Sequence, residues 1–246
     1  MDKIKKLNCS YSEQSVIEDL NLEIDEHICI LGANGSGKST LAKALSNLIS
    51  FEGNIFIGGK NISELKRSEI SKLITYVPSK MEFFDAYISV FEYVLQGRYV
   101  HKNNFAPYSA QDIEKVADIL EQMSITHLKD KAISELSSGE SQLVLIAQNI
   151  VQESKVIIFD EPTANLDPTH SYELLKEIKK LKSSHLIILI THDVNLAFAM
   201  ESSILFISGK EHKYFKEREK FFTKENLFEC YKTKFSVDKT VAIDYD

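Results

Sequence analysis

The chain has 246 residues, a net charge of −7 at pH 7, 43% hydrophobic residues and 26% charged residues. This balance is typical of one large globular domain, or of one domain with an attached smaller lobe. The acidic surplus argues against a nucleic-acid binder, which usually carries excess positive charge. The cysteines, Cys9, Cys29 and Cys230, lie far apart in the sequence, so neither a disulfide framework nor a cysteine zinc site is expected.

The sequence shows no targeting or membrane signal. The charged amino-terminal residues are not followed by an apolar stretch, so no signal peptide is predicted. The best apolar runs, Leu143–Ile146 and Leu186–Ile190, are far shorter than the roughly 18–20 residues that a membrane helix needs. The chain itself is therefore not expected to cross a membrane.

Short apolar runs alternate with helix-like stretches, which is the pattern of an α/β fold. The runs Ile28–Leu31, Val156–Phe159 and Leu186–Ile190 are continuously apolar, as expected for parallel strands buried on both faces. Polar residues follow each run at once. Because open α/β sheets bind ligands at the carboxyl ends of their strands, a site is predicted at this edge.

Helical stretches are predicted at Leu41–Leu48, Ala110–Met123 and Pro168–Leu181. From about Ser79 to Glu153 the pattern is mainly helical, without a clear buried strand. We therefore expect a single domain, 1–246, in which a helical lobe (79–153) is inserted into a nucleotide-binding core (1–78 and 154–246). The tail from about 210 to 246 is polar and aromatic without a strong period, and no structure is predicted for it.

The glycine-rich segment after the first strand meets the phosphate-loop pattern GxxxxGK[ST] in full. Lys38 is expected to reach the β- and γ-phosphates of ATP, and the Ser39 hydroxyl to bind Mg²⁺. The glycines allow backbone amides to point at phosphate oxygens, and an incidental glycine-rich turn is the weaker alternative. The residues predicted to bind the nucleotide are Gly32, Ala33, Asn34, Gly35, Ser36, Gly37, Lys38, Ser39 and Thr40.

An acidic pair, Asp160 and Glu161, follows the second of the three apolar runs, and a histidine follows the third. Asp160 is placed to hold the metal ion, and Glu161 to polarise the attacking water as general base. Alone, such an acidic pair could equally be a solvated strand end, but a phosphate loop in the same chain favours the catalytic interpretation. His192 follows the next strand and could contact the γ-phosphate, although a lone histidine in this position is more often structural.

The segment Leu136-Ser137-Ser138-Gly139-Glu140 resembles the LSGGQ signature of ATP-binding cassette (ABC) ATPases, and it precedes the acidic pair as in that family. Tyr11 resembles the aromatic residue that stacks on adenine in the family. The segment Ala164-Asn165-Leu166-Asp167 resembles the D-loop, and Thr191-His192-Asp193 resembles the switch-histidine segment. The resemblance covers nearly the whole chain, which is identified as a member of the ABC ATPases.

The resemblance implies a P-loop NTPase with the ABC-ATPase fold, a RecA-like core with an inserted helical sublobe, which hydrolyses ATP with Mg²⁺. It implies catalytic roles for Glu161 and His192 and a D-loop role for Asp167. The signature residues Ser137, Ser138, Gly139 and Glu140 would close on ATP that is bound by a second copy of the chain, forming an ATP-sandwich homodimer.

The family also implies partners and a location. Integral membrane permease subunits would bind the ATPase at the cytoplasmic face of the inner membrane. A substrate-binding protein would be an indirect partner, and no nucleic acid is expected.

A finer resemblance concerns Val94–His101, which is similar to the "V-x-x-G-R-x-P-H" segment of ATPases from iron–siderophore, haem and cobalamin importers, with Val100 in place of proline. It favours uptake of an iron chelate; haem, cobalamin or molybdate import, and a soluble ABC-type ATPase not linked to transport, stay open.

Ser79 stands where the family has the Q-loop glutamine. In the family this glutamine reaches Mg²⁺ and the attacking water. A serine is too short to make that contact directly, although a water could bridge the gap. We therefore expect weaker coupling between ATP occupancy and rotation of the helical lobe. A nucleotide-binding regulator that does not hydrolyse ATP also stays open for this reason.

Overall fold

The computed structural model describes residues 2–11, 14–81, 86–102, 106–164, 166–237 and 241–243. The chain divides into two compact units. The first unit comprises Met1–Lys66, Ile158–Glu161 and Leu186–Asp246. The second unit comprises Arg67–Ile157 and Pro162–His185, and the helical stretch expected at 79–153 falls within it.

The strands in chain order are β1 (Asp2–Tyr11), β2 (Gln14–Ile24), β3 (Ile28–Leu31), β4 (Glu52–Ile57), β5 (Lys60–Asn61), β6 (Ile74–Val77), β7 (Val156–Asp160), β8 (Leu186–Thr191), β9 (Ser203–Ser208), β10 (Glu211–Phe215), β11 (Phe235–Val237) and β12 (Val241–Ile243). The α-helices are α1 (Lys38–Leu45), α2 (Arg67–Ile70), α3 (Val90–Gln96), α4 (Ala110–Gln122), α5 (Ser138–Ile150), α6 (Pro168–Leu181), α7 (Val194–Met200), α8 (Arg218–Phe221) and α9 (Lys224–Tyr231). Short 3₁₀ turns lie at Ile62–Glu64, Gly97–His101, Thr126–Leu128 and Ile133–Glu135.

The main sheet of the first unit has the strand order β10-β9-β3-β8-β7. β3 is fully buried at its centre and pairs in parallel with β8 on one side and β9 on the other. The three apolar runs predicted as strands are β3, β7 and β8, so these predictions are confirmed. Because β3 and β8 run in the same direction, the residues that follow them lie at one edge of the sheet.

A second, antiparallel sheet in the first unit has the order β2-β1-β4-β5 and was not predicted. The carboxyl-terminal segment, for which no structure was predicted, packs aromatic side chains against the main sheet. The ring of Phe221 lies edge-on to those of Phe215 and Phe222, with centroids 5.3 and 5.0 Å apart. Their function there is packing, since Phe221 is completely buried.

The second unit contains α2 to α6 and strand β6, which lies next to β7. The carbonyl of Leu73, just before β6, accepts a hydrogen bond of 2.9 Å from the amide of Val156, where β7 begins. The helices expected at 110–123 and 168–181 are α4 and α6.

The helix expected at 41–48, in the first unit, is corrected. α1 starts three residues earlier, because Gly37 serves as its amino-terminal cap, and it ends at Leu45.

Among the described residues, no helix is both long enough and apolar enough to span a bilayer.

Candidate active site

The phosphate-loop segment connects β3 to α1. Gly37, the cap of α1, has a left-handed backbone with φ of 103°. A Cβ atom at this position would also lie 2.8 Å from Cγ1 of Val16, so that glycine is needed both for the conformation and for the close approach. The loop therefore leads into the positive amino-terminal end of α1, which is a favourable place for an anion.

Lys38 is the first residue of α1 and is 5% exposed. Its Nζ donates hydrogen bonds to the carbonyl oxygens of Gly32 (2.8 Å) and Ala33 (2.9 Å). Burial lowers the pKa of the Lys38 ammonium, and the carboxylates of Glu161 and Asp160 oppose that shift. The loop thus holds a buried positive charge, which costs desolvation free energy unless negative groups surround it.

Ser39 and Asp160 form an oxygen pair beside this ammonium. The Ser39 hydroxyl donates a hydrogen bond of 3.0 Å to Oδ1 of Asp160, and Asp160 is buried as the last residue of β7. Hydroxyl and carboxylate oxygens are hard ligands, the kind that Mg²⁺ prefers together with phosphate oxygens. The donor set therefore fits a magnesium ion.

Glu161 follows β7 in a left-handed conformation with φ of 51°. For a non-glycine residue this costs about 1–3 kcal/mol, and such strain is frequent at functional sites. Its amide donates a hydrogen bond of 2.9 Å to the carbonyl of Ile190, which ties the turn to β8. Its Oε1 lies 3.9 Å from Nζ of Lys38, and its Oε2 lies 2.9 Å from Nδ1 of His192.

The turn from β8 to α7 fixes the position of His192. The amide of Asp193 donates to the Thr191 hydroxyl at 3.0 Å, and the Asp193 carboxylate accepts from the amides of Asn195 and Leu196 at the start of α7. The His192 side chain is about half exposed, so it can contact both Glu161 and a ligand from solvent.

A cavity of about 400 Å³ opens above these groups. Its lining residues are Gln14, Val16, Asn34, Gly35, Gly37, Lys38, Ser39, Thr40 and Glu161. Within the loop, the buried hydroxyl of Ser36 has no hydrogen-bond partner among the described residues. A buried hydroxyl without a partner is costly and fits a site that a phosphate oxygen completes.

Gln14 and Val16 are lining residues that sequence reasoning missed. Both belong to β2, two positions apart, and alternation along a strand places such residues on one face. That periodicity was the available signal. The backbone of Tyr11, the predicted adenine-stacking residue, ends β1, but its side chain lies outside the described part of the chain.

The signature residues belong to the second unit, at the start of α5. Ser137 caps the helix: its hydroxyl accepts from the amide of Glu140 (3.3 Å), and its own amide donates to the Glu140 carboxylate (2.8 Å). Hydrogen bonds from Ser137 are the main reason that the pKa of Glu140 is lowered, and Lys131 lies 3.2 Å from the same carboxylate. Ser138 and Gly139 form the first turn. Glu140, in the usual position of glutamine, thus has a capping role.

Asp167 and Ser79 also belong to the second unit. Asp167 caps α6, with Oδ1 accepting from the amides of Thr169 (2.9 Å) and His170 (3.1 Å). Ser79 is half-buried just after β6. Asn165, in the predicted D-loop, lies outside the described residues. The first unit, in contrast, brings together the predicted phosphate loop, Asp160, Glu161 and His192.

Comparisons with known proteins agree with this arrangement. Residues 17–164 match the family model described as "ABC transporter". The petrobactin import ATP-binding protein FpuD of Bacillus anthracis is 32% identical over 84% of this chain and 77% of its own length. The ferric enterobactin transport ATP-binding protein FepC of Escherichia coli K12 is 32% identical over 82% of this chain and 76% of its own length.

A solved structure of a metal-chelate type ABC transporter in an inward-facing conformation is 27% identical to this chain, with a TM-score of 0.84. The likeness covers 100% of this chain and 98% of that one. The fold is therefore the α/β P-loop fold of ABC ATPases.

Proposed function

Because this chain belongs to the ABC transporter family, we propose that it is the ATPase subunit of an importer that takes up an iron chelate. The observation that carries the hydrolytic part is the Glu161 carboxylate, which lies between Nζ of Lys38 and Nδ1 of His192 beside the Ser39–Asp160 pair. These groups supply a phosphate-binding cation, a metal-binding oxygen pair and a base within one cavity.

In the proposed reaction Lys38 exchanges its loop carbonyl partners for the β- and γ-phosphate oxygens of ATP. Ser39 and Asp160 would hold Mg²⁺, which would supply positive charge to balance the charge on the phosphates. Glu161 accepts a proton from the water whose oxygen bonds to the γ-phosphorus, while the bond from that phosphorus to the bridging oxygen breaks and ADP leaves. His192 orients the Glu161 carboxylate through Nδ1 and contacts the γ-phosphate.

The remaining loop residues bind the phosphates through backbone amides and through the Ser36 hydroxyl. Tyr11 is proposed to stack on adenine, and Gln14 and Val16 to contact the ribose side of the nucleotide because they line the same cavity. We also propose that residues 1–78 and 154–246 form the nucleotide-binding core and that residues 79–153 form the helical lobe with the signature.

The signature segment is proposed to act in trans. Ser137, Ser138 and Gly139 offer hydroxyl and amide donors at the positive end of the 13-residue helix α5. The chain carries one phosphate loop and one signature, so a second copy of the chain would supply the signature to each ATP. Asp167, as the D-loop residue, would lie at that homodimer interface.

The membrane partners are proposed from the relatives. FpuD and FepC are named for petrobactin import and ferric enterobactin transport, and a relative from Helicobacter pylori, 33% identical over 85% of this chain, is named for iron chelatin transport. The chain would accordingly bind a pair of permease subunits on the cytoplasmic face of the membrane, and a substrate-binding protein would select the cargo. Haem, cobalamin or molybdate are alternative cargoes.

Two measurements test this proposal. The purified chain is expected to release phosphate from Mg·ATP, and the rate is expected to rise when the copurified permease is present in nanodiscs. Uptake of ⁵⁵Fe as a siderophore complex by cells that lack the chain should fall and should return when the chain is restored. Copurification with an exporter-type membrane domain, or iron-independent uptake of another cargo, would contradict the proposed importer.

A further inference from the structure

A histidine that the proposed reaction does not use lies against the signature segment. An ideal Cβ built on Gly139 would lie 3.1 Å from Cδ2, 3.5 Å from Cγ and 3.6 Å from Nε2 of His170. All three nearest atoms belong to one imidazole ring. The ring of α6 therefore occupies the space that a side chain at position 139 would need, in contact with the first turn of α5.

The ring is held in place by Asp167. Oδ2 of Asp167 lies 2.5 Å from Nδ1 of His170, while Oδ1 accepts the amides of Thr169 and His170. One carboxylate thus fixes both the start of α6 and the imidazole. Since Nδ1 is bound to Asp167, Nε2 is the ring nitrogen that can face a ligand.

The charges around the ring favour its protonated form. The hydrogen bond that His170 Nδ1 donates to the Asp167 carboxylate is the main cause that raises the pKa of His170, and Glu173 on α6 adds a smaller effect. On α5, Glu140 is the carboxylate next to Gly139 in the sequence, and it is bonded to the Ser137 amide and to Lys131. A positive ring at the positive end of α5 is unfavourable by itself, but it becomes favourable once an anion binds there.

We propose that His170 is a positioning residue for the signature segment, which fixes the turn at Gly139 through Asp167 and adds a positive charge to the anion site of that turn. This inference rests on the proposed function, in which the signature accepts the γ-phosphate of ATP bound by a second copy. ATP-driven pairing of two copies then takes up protons. Pairing is strongest below the pKa of His170 in the unpaired chain and weakens as the pH rises through the pKa of His170 in the dimer.

The test uses the full chain carrying Glu161→Gln, so that ATP is bound but not turned over. Sedimentation velocity with Mg·ATP measures the dimer dissociation constant from pH 6 to pH 9. The homodimer links two protons, one for each His170, so this constant can change by at most about 100-fold per pH unit. We expect a rise of roughly three- to tenfold per site, which is about 10- to 100-fold in total across this range. In His170→Gln the constant should stay near the high-pH value throughout.

His127→Gln is the matched control, because His127 is an exposed histidine of the same unit, on the Thr126–Leu128 turn. Its pH profile should coincide with that of the parent. Asp167→Asn is the second variant: it keeps an acceptor for the two helix amides but removes the carboxylate. The midpoint of its profile should therefore move to lower pH, whether or not His170→Gln folds well.

The outcomes separate the two proposals. If the Glu161→Gln chain forms no ATP-dependent dimer at any pH, the composite site itself is wrong. If the dimer forms, but His170→Gln and Asp167→Asn keep the parent profile, the role of His170 is overturned. A uniform loss of affinity at every pH in His170→Gln, with an unshifted Asp167→Asn profile, would likewise reduce His170 to a structural residue.

Discussion

Oε2 of Glu161 lies 2.9 Å from Nδ1 of His192, and both follow neighbouring strands of the main sheet. Glu161→Gln keeps the shape of this side chain but removes its ability to accept a proton. We therefore expect ATP hydrolysis to fall by about 100-fold or more, the usual scale for loss of a general base, while ATP still binds. Steady-state phosphate release measures the first effect, and equilibrium binding of labelled ATP measures the second.

Glu225→Gln is the control for this change, because Glu225 is an exposed glutamate of the same unit, in the first turn of α9. It should hydrolyse ATP at the parent rate. Rapid turnover by Glu161→Gln would show that another group activates the water.

Replacing Lys38 is predicted to lower the affinity for ATP without lowering the stability of the ATP-free chain. Lys38→Met removes the ammonium that is proposed to bind the phosphates, and hydrogen bonds to charged groups contribute about 1.5–3 kcal/mol each, so ATP affinity should fall at least tenfold. Burial lowers the pKa of the Lys38 ammonium in the folded chain, so its positive charge opposes folding at pH 7. Its removal should therefore leave the free energy of unfolding of the ATP-free chain unchanged or raise it.

Isothermal titration with ATP and urea unfolding without ATP measure these two effects. Lys43→Met, on the same helix, is the control and should alter neither quantity strongly. A clear loss of stability in Lys38→Met would mean that the ammonium holds the empty loop together through its bonds to the carbonyls of Gly32 and Ala33.

The sequence predicted the elements that position the catalytic groups because their signals are local. β3, β7 and β8 are continuous apolar runs, and runs of this type have few alternatives to a buried strand. The predicted polar residues follow these strands, so the parallel arrangement was enough to expect Lys38, Glu161 and His192 in one place. The helices α4 and α6 were also predicted, and their ends depend on local contacts, since Ser109 and Asp167 bond to amides of their own helices.

What the sequence could not predict depends on contacts between distant residues. The long strands β1 and β2 bend through several irregularities in their pairing, which interrupts the alternation that marks a strand. The left-handed backbone of Glu161 accompanies the hydrogen bond from its amide to the carbonyl of Ile190, and no pattern of residues in the sequence predicts it. The contact of His170 with Gly139 likewise exists only because α6 packs near the start of α5.

Ser79 yields a prediction about coupling. Ser79 is half-buried and stands where the family has a glutamine, which the resemblance assigns to Mg²⁺ and the attacking water. Ser79→Gln is therefore expected to raise permease-stimulated hydrolysis by about two- to fivefold, at or below the low end of typical coupling free energies, and to leave basal hydrolysis within about twofold of the parent. Ser79→Ala is the control for loss of the hydroxyl. If Ser79→Gln changed neither rate, the expectation of weak coupling would be wrong.

Arg98 is the buried cation that connects three parts of the second unit. Its Nε donates to Oδ1 of Asp112 at 2.9 Å, and its Nη1 donates to the carbonyl of Val151 and to Glu153, each at 2.7 Å. Asp112 also accepts from Ser109, and these two partners lower its pKa to about 2. The folded pKa lies below the unfolded value, so the resulting stability is present above about pH 4 and is lost as the pH falls from about 4 to about 2.

Removing this cation leaves buried acceptors without a partner. Arg98→Gln is therefore expected to lower the free energy of unfolding by about 3–5 kcal/mol, as for other buried ion pairs that lose one member. Lys115→Gln removes the more exposed cation that also binds Glu153, and it should cost at most about 1 kcal/mol. Urea unfolding at pH 7 compares the two variants. Repeating it at pH 3 should narrow the difference, because Asp112 then binds a proton in the unfolded chain but not in the folded parent, and part of the stability from the Arg98 bond is lost. Equal effects of the two substitutions at pH 7 would mean that burial of Arg98 adds nothing to the strength of its bonds.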